Sequence, residues 1–230
     1  HQTLLDELNR FGSAMVEPVL LGDGRAEVTV VAFDMPGLLT AISGLFVVHG
    51  VDILNGHAFT LDVPESASRC VDTFEVGLPE TTSWDLLWSR FHGDLIEFVE
   101  SNAAGKGEEA LSRLTERVAR GVSRVTEVSG SLLPVDIEID NEASGDVTVL
   151  TIRADDTNGF LYECAHALSL AGIIIRRVVI ETQGRRVRDR LDVVDSSGSK
   201  LIDPQRMQEL KTVVVLTKHF THLLPTSPNP

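Results

Sequence analysis

Two short stretches combine residue types that could hold a small charged molecule. Asp34-Met35-Pro36-Gly37-Leu38-Leu39 and Asp156-Thr157-Asn158-Gly159-Phe160-Leu161 each set a carboxylate three positions ahead of a glycine. An apolar run precedes each one and a helical pattern follows. A chain that leaves a strand and enters a helix at such a turn presents unpaired backbone N–H groups and the positive end of the helix dipole. That end accepts a carboxylate, and Gly37 lets a ligand approach the backbone closely. Asp34 could meet an ammonium group or simply cap the helix.

The remaining reactive residues point to packing rather than catalysis. His219 and His222 stand at i and i+3 with no cysteine or carboxylate spaced to complete a metal site, so no metal or cofactor is expected. His57 and Cys70 could face each other across a hairpin, where a packed pair is the expectation. Cys164 and His166 share one helix, as core or boundary residues. Nucleotidyl transfer needs a Gly-Ser turn followed by Asp-x-Asp. Gly12-Ser13 is followed only by Asp23-Gly24, and no His is directly followed by Asp. A phosphate loop of the Gly-x4-Gly-Lys-Ser/Thr kind is also missing. No catalytic site is therefore expected among these residues.

The net charge of −14 argues against nucleic acid and anionic membranes as partners. The one basic cluster, Arg185-Arg186-Val187-Arg188-Asp189-Arg190, alternates along a strand and reads as a solvated or partner-facing edge. With two cysteines at non-equivalent places, free thiols in a reducing, cytoplasmic setting are expected. No apolar run approaches the ~20 residues a bilayer helix requires. The chain opens His-Gln-Thr, which reads as a piece of a longer protein.

The elements that must position the two turns repeat as well. Strand Ala26–Phe33, helix Gly37–Val48 and strand Asp52–Asp62 are echoed by strand Val147–Ala154, helix Gly159–Ala171 and strand Ile174–Thr182. The offset is 122 positions (156 − 34), without a gap from Val28/Leu150 to Thr60/Thr182. A fixed-offset echo of this length marks a duplicated domain. The hairpin strands that follow, Cys70–Leu78 and Arg186–Val194, keep an offset of 117 (189 − 72) because the second turn is tighter. Helices are predicted at 1–11, at 83–98, over Glu108–Val122, and from Asp203-Pro204 to Leu224. The last of these is strained by the β-branched run Val213–Val215. Extended segments at Ala14–Leu21 and Leu132–Asp140 complete the set. Each repeat thus reads β-α-β-β-α, an α+β arrangement of two ferredoxin-like βαββαβ domains, antiparallel sheets with helices on one face. Leu132–Asp140 is expected to close the first domain, and Ala14–Leu21 to complete the second by strand exchange. The corresponding domains are 1–24, 25–141 (with an extra helix) and 142–230.

Strand, Asp-x-x-Gly turn, helix, Gly-apolar, strand, and a hairpin carrying Asp72-Thr73-Phe74 together resemble the ACT domain, a small-molecule-sensing module of amino-acid metabolism. Val135-Asp-Ile-Glu-Ile-Asp140-Asn141-Glu142-Ala143-Ser144 followed by Thr148-Val149-Leu150 is similar to the tandem ACT region of bacterial PII-protein uridylyltransferases. The tail from His219 to Pro230 resembles a segment of glutamine synthetase adenylyltransferases instead. Either resemblance implies nitrogen control, a free amino acid as ligand with glutamine first, an attached nucleotidyltransferase, and a possible homodimer. An interaction module without a small ligand is the alternative. The resemblance further implies a ligand held between one turn (Asp34, Met35, Pro36, Gly37, Leu38, or Asp156, Asn158, Gly159, Phe160) and the start of the second strand of a facing domain. By position those strand residues include Asn55, whose amide could pair with glutamine's, and Arg176, which could hold a carboxylate. The second turn departs from the first, with Asn158 in place of Pro36 and Asp189-Arg190-Leu191 in place of Asp72-Thr73-Phe74.

Overall fold

The computed structural model describes residues 2–61, 67–80, 83–122, 135–157, 159–184 and 186–223. The chain divides into two compact units, His1–Val122 and Ser123–Pro230. The first contains α1 (Gln2–Phe11), β1 (Ala14–Gly22), β2 (Arg25–Phe33), α2 (Leu38–Val48), β3 (Asp52–Leu61), β4 (Arg69–Gly77), α3 (Trp84–Ala103) and α4 (Gly107–Val122). The second contains β5 (Asp136–Asp140), β6 (Thr148–Asp155), α5 (Phe160–Leu170), β7 (Ile173–Gln183), β8 (Arg186–Asp195) and α6 (Pro204–Leu223).

Within the first unit the strands lie in the order β1-β2-β4-β3, and within the second β5-β6-β8-β7, antiparallel at each pairing. Both are ferredoxin-like sheets whose outermost strand comes from just before the repeat. Two expectations are corrected here. The N-terminal strand does not complete the second domain: β1 pairs with β2 from Ala14↔Ala32 to Gly22↔Arg25. The strand ending at Asp140 does not close the first domain: β5 pairs with β6 from Asp136↔Arg153 to Asp140↔Val149. The boundary accordingly falls after Val122 instead of Asn141. The tight Gly22-Asp23-Gly24 turn, all three residues at positive φ, joins β1 to its sequence neighbour. Closing so short a loop costs far less entropy than closing a distant one.

The first core lies between this sheet and its helices. Val28, Val30, Ala32, Phe74 and Val76 face inward with no more than 1% exposure. Phe46 stacks on Phe91 at 4.9 Å and meets Phe74 edge-on at 5.3 Å. The extra helix α4 is tied in by Asp94 of α3, which accepts from Arg117 at 2.5 Å and bonds His49, the C-cap residue of α2, at 2.8 Å. A cavity of about 40 Å³ lies beside these groups, lined among others by Leu45, Phe98 and Leu114.

Helices on one face describes the second unit but not the first. On the opposite face of the first sheet, Leu4 and Leu8 of α1 form a cluster with Val31 and Val71, flanked by Met15 and Phe33. The equivalent positions in the second sheet are Arg153 for Val31 (offset 122) and Arg188 for Val71 (offset 117). Arg153 bonds Asp136 and Glu138 on β5 instead. Charges on that face make a covering helix unnecessary, and an uncovered Val31 and Val71 would waste apolar burial.

The Asp140–Ser144 string earns its place structurally. Asp140 Oδ1 accepts from the amides of Glu142 and Ala143. Asn141 donates to the carbonyl of Leu201 and accepts from Thr148 Oγ1, which accepts in turn from the Leu201 amide. Lys200 donates to the carbonyls of Asn141 and Ser144. This network fixes the exit of β8 to the β5–β6 turn. Next, Asp203 caps α6 by accepting from the Gln205 amide, and the helix runs through Val213–Val215 without a break.

Candidate functional site

Both turns close on a left-handed glycine and the same hydrogen bond across it. At turn one the Leu38 amide donates to the Met35 carbonyl at 3.2 Å, with Gly37 between them at φ 82°, ψ 5°. With Pro36 at the first central position and a left-handed glycine at the second, this is a type II turn. At turn two the Phe160 amide donates to the Thr157 carbonyl at 3.1 Å and Gly159 has φ 76°, ψ 3°. Asn158 lies outside the described residues. The glycine carbonyls take the first helical bonds, from Ala41 and Glu163. The amides of Leu39 and Leu161 have no backbone acceptor among the described residues. Neither Asp34 nor Asp156 caps its helix, because the N-cap position belongs to the glycine.

Asp34 instead turns back onto the sheet, accepting from Cys70 Sγ at 3.2 Å and from Thr60 Oγ1 at 3.3 Å. Burial, together with Asp72 and Asp34, pushes the Cys70 thiol far up and keeps it a donor. Behind it lies Asp72, 3% exposed, accepting the Phe59 amide at 3.3 Å. Burial and the nearby Asp34 charge raise its carboxyl to about 8 against the Phe59 hydrogen bond. His57 is not opposite Cys70: it pairs with Thr73 and Cys70 with Thr60. The end of α3 covers turn one. Phe98 reaches within 3.9 Å of where a Cβ on Gly37 would stand, and Asn102 donates to the Pro36 carbonyl at 3.2 Å.

Turn two is furnished differently. Lys218 of α6 is 1% exposed, donates to Thr157 Oγ1 at 2.7 Å, and stands 3.9 Å from the centroid of the Phe160 ring. Burial lowers its ammonium to about 8 against the pull of Asp156, Asp189 and Asp155. Asp189 sits where Asp72 sits in the first unit. It is 4% exposed, raised to about 7 by burial, and its Oδ1 has no hydrogen-bond partner among the described residues. Asp156 is raised by burial as well. Cys164, raised to about 12 by burial, lies nearby on α5, and His166 meets Tyr162 at 5.8 Å.

The strand residues expected to join these turns do not do so within a unit. Asn55 shares a row with Glu75 and Glu27, six residues along β2 from Phe33, or roughly 20 Å away. Its amide donates to Glu75. Arg176 occupies the register shift between Ile175 and Arg177, at the end of β7 far from turn two. Sequence reasoning missed Lys218, although it falls four residues after Val214 on the stripe of α6 that is buried. It also missed Cys70 as the partner of Asp34, since that contact spans thirty-six residues. The side chains of His219 and His222 and the tail 224–230 lie outside the described residues. Among the described residues no three or more His, Cys, Asp or Glu are placed to hold a metal ion. None of their helices is long and apolar enough to cross a membrane.

Comparison with known proteins finds relatives that match along nearly the whole chain. A "Bifunctional uridylyltransferase/uridylyl-removing enzyme" from Gluconobacter oxydans is 30% identical over 223 residues, 94% of this chain and 22% of that protein. The chain is homologous to a segment of such uridylyltransferases. Proteins of the same description from Rhodopseudomonas palustris and Rhodospirillum rubrum are 27% and 28% identical over 219 and 215 residues. The chain spans about a fifth of the length of the curated relatives it matches. No family model matches it. The resemblance to the uridylyltransferase region thus holds along nearly the whole chain, where the adenylyltransferase resemblance was confined to the tail.

Proposed function

We propose that this chain is the regulatory region of a nitrogen-control nucleotidyltransferase, a tandem pair of ACT domains that binds a free amino acid, glutamine first. Occupancy is transmitted to an attached uridylyltransferase acting on a PII-type protein. The observation that carries this reading is the duplicated glycine corner, Asp34 to Leu38 and Asp156 to Phe160, in a chain homologous to about a fifth of a uridylyltransferase. Turn one offers a carboxylate the amide of Leu39, which has no backbone acceptor among the described residues, and offers Asp34, a few residues ahead, to an ammonium group. Asn55 and Arg176, remote from the turn of their own unit, would contribute from a facing domain. A ligand bridging two domains shifts their arrangement only by its differential affinity, about 1–3 kcal/mol in typical cases. Isothermal titration against the twenty amino acids tests the reading: glutamine is expected to bind, and Asp34→Ala to abolish the signal. Silence across the panel would overturn it.

The second reading is an interaction module without a small ligand, pairing with itself or with a partner protein. It is favoured by Phe98 and Asn102 lying against turn one. Concentration-dependent self-association that no amino acid alters is its signature.

A further inference from the structure

The two corners share a left-handed glycine and a turn hydrogen bond but not a means of neutralising their acids. In the first unit the buried stripe of α3 is Phe91, Leu95, Phe98 and Val99; in the second that of α6 is Leu210, Val214, Thr217 and Lys218. The two stripes superpose at one offset, 119 (218 − 99), so Lys218 takes the place of Val99. The exchange is matched on the sheet. Cys70, which donates to Asp34, is replaced by Val187 (offset 117), so the second corner loses that donor. An ammonium group arrives from α6 as the thiol leaves β4.

We propose that turn two is an ammonium-binding corner that the chain fills with its own Lys218, a site with its ligand built in. Thr157 Oγ1 accepts the Nζ proton at 2.7 Å, the Phe160 ring lies beneath it at 3.9 Å, and Asp155 and Asp156 supply charge from the end of β6. Asp189 adds a third carboxylate from β8, and Cys164 faces the group from α5. The Asp189 Oδ1 atom is buried without a hydrogen-bond partner among the described residues, so the carboxylate meets the Lys218 charge rather than a hydrogen-bonded network. A hydroxyl, an aromatic face and carboxylates around one point form the set that recognises a primary ammonium. On the functional reading above, this leaves turn one as the corner that takes an amino acid. The filled corner at turn two stands without that reading.

Chemical rescue tests it. Lys218→Ala removes the tether and the ammonium but leaves the pocket, and Lys218→Met keeps the volume without the charge. Melting of the second unit is followed by second-derivative absorbance of Tyr162, the single tyrosine of the chain. Lys218→Ala is expected to melt on the order of 10 °C lower, because an uncompensated buried acid cluster remains. Butylammonium chloride should restore several degrees, with butanol and tetramethylammonium chloride ineffective at equal concentration. Wild type and Lys218→Met should not respond to the amine. A variant that does not fold alone is refolded with butylammonium, where recovery supports the assignment and its absence counts against it while Lys218→Met folds. An unchanged melting point in Lys218→Ala, or equal rescue by butanol, overturns it. None of these outcomes depends on whether an amino acid binds the chain.

Discussion

Asp72 gives a quantitative test of how the first unit is built. Its carboxyl is 3% exposed and raised from 3.8 to about 8, chiefly by burial. The folded state therefore binds this proton more tightly than the unfolded chain does. The stabilising contribution is complete below about pH 4 and is lost as pH rises through about 8. Holding the group protonated at pH 7 costs about 1.4 kcal/mol for each of the roughly three pH units above its ordinary value, near 4 kcal/mol. Asp72→Asn keeps an oxygen for the Phe59 amide and carries no charge at any pH. It should stabilise the first unit by about 2–4 kcal/mol at pH 7 and remove most of the fall in stability between pH 5 and 8. Trp84 and Trp88, the only tryptophans, both lie on α3, so tryptophan fluorescence during urea unfolding reports this unit alone. Parallel pH profiles for variant and wild type, or a variant less stable at pH 8, would refute a buried neutral carboxyl at this position.

Further outcomes follow from other contacts. Gly37→Ala and Gly159→Ala force a Cβ into left-handed backbone at φ 82° and 76°, and each should cost about 1–2 kcal/mol in denaturant melts. Asp94→Ala unties α4 from α2 and α3 by removing the acceptor shared by Arg117 and His49. A loss of about 1–3 kcal/mol, with faster hydrogen exchange in α4, is expected. Both thiols are buried and shifted upward, Cys164 to about 12; a disulfide reagent at pH 8 should label neither cysteine until the chain unfolds. Leu8→Asp should detach α1 from Val31 and Val71, lowering the stability of the first unit by about 2–4 kcal/mol while leaving the second unchanged.

What the sequence determined by itself was local and periodic. The order of strands and helices, the duplication and the glycine turns all rest on side-chain period and on backbone preferences carried by a few adjacent residues. Pro36-Gly37 specifies its type II turn without reference to anything distant, and Asp203-Pro204 starts α6 in the same way. Tertiary structure decided the pairings. Ala14–Gly22 reads as a strand from either side, and only the tight Gly22–Gly24 connection and the fit to β2 settle its partner. The site divided along the same line. The two corners were visible as Asp-x-x-Gly repeats, but the surroundings of each were not. Cys70 reaches Asp34 across thirty-six residues and Lys218 reaches Thr157 across sixty-one. A lysine on a helix is solvated unless the fold buries it, and whether three carboxylates wait at the other end is not written in its neighbours. Duplication copied the glycine of the corner and the hydrogen bond across it, and packing against two different helices decided what each copy holds.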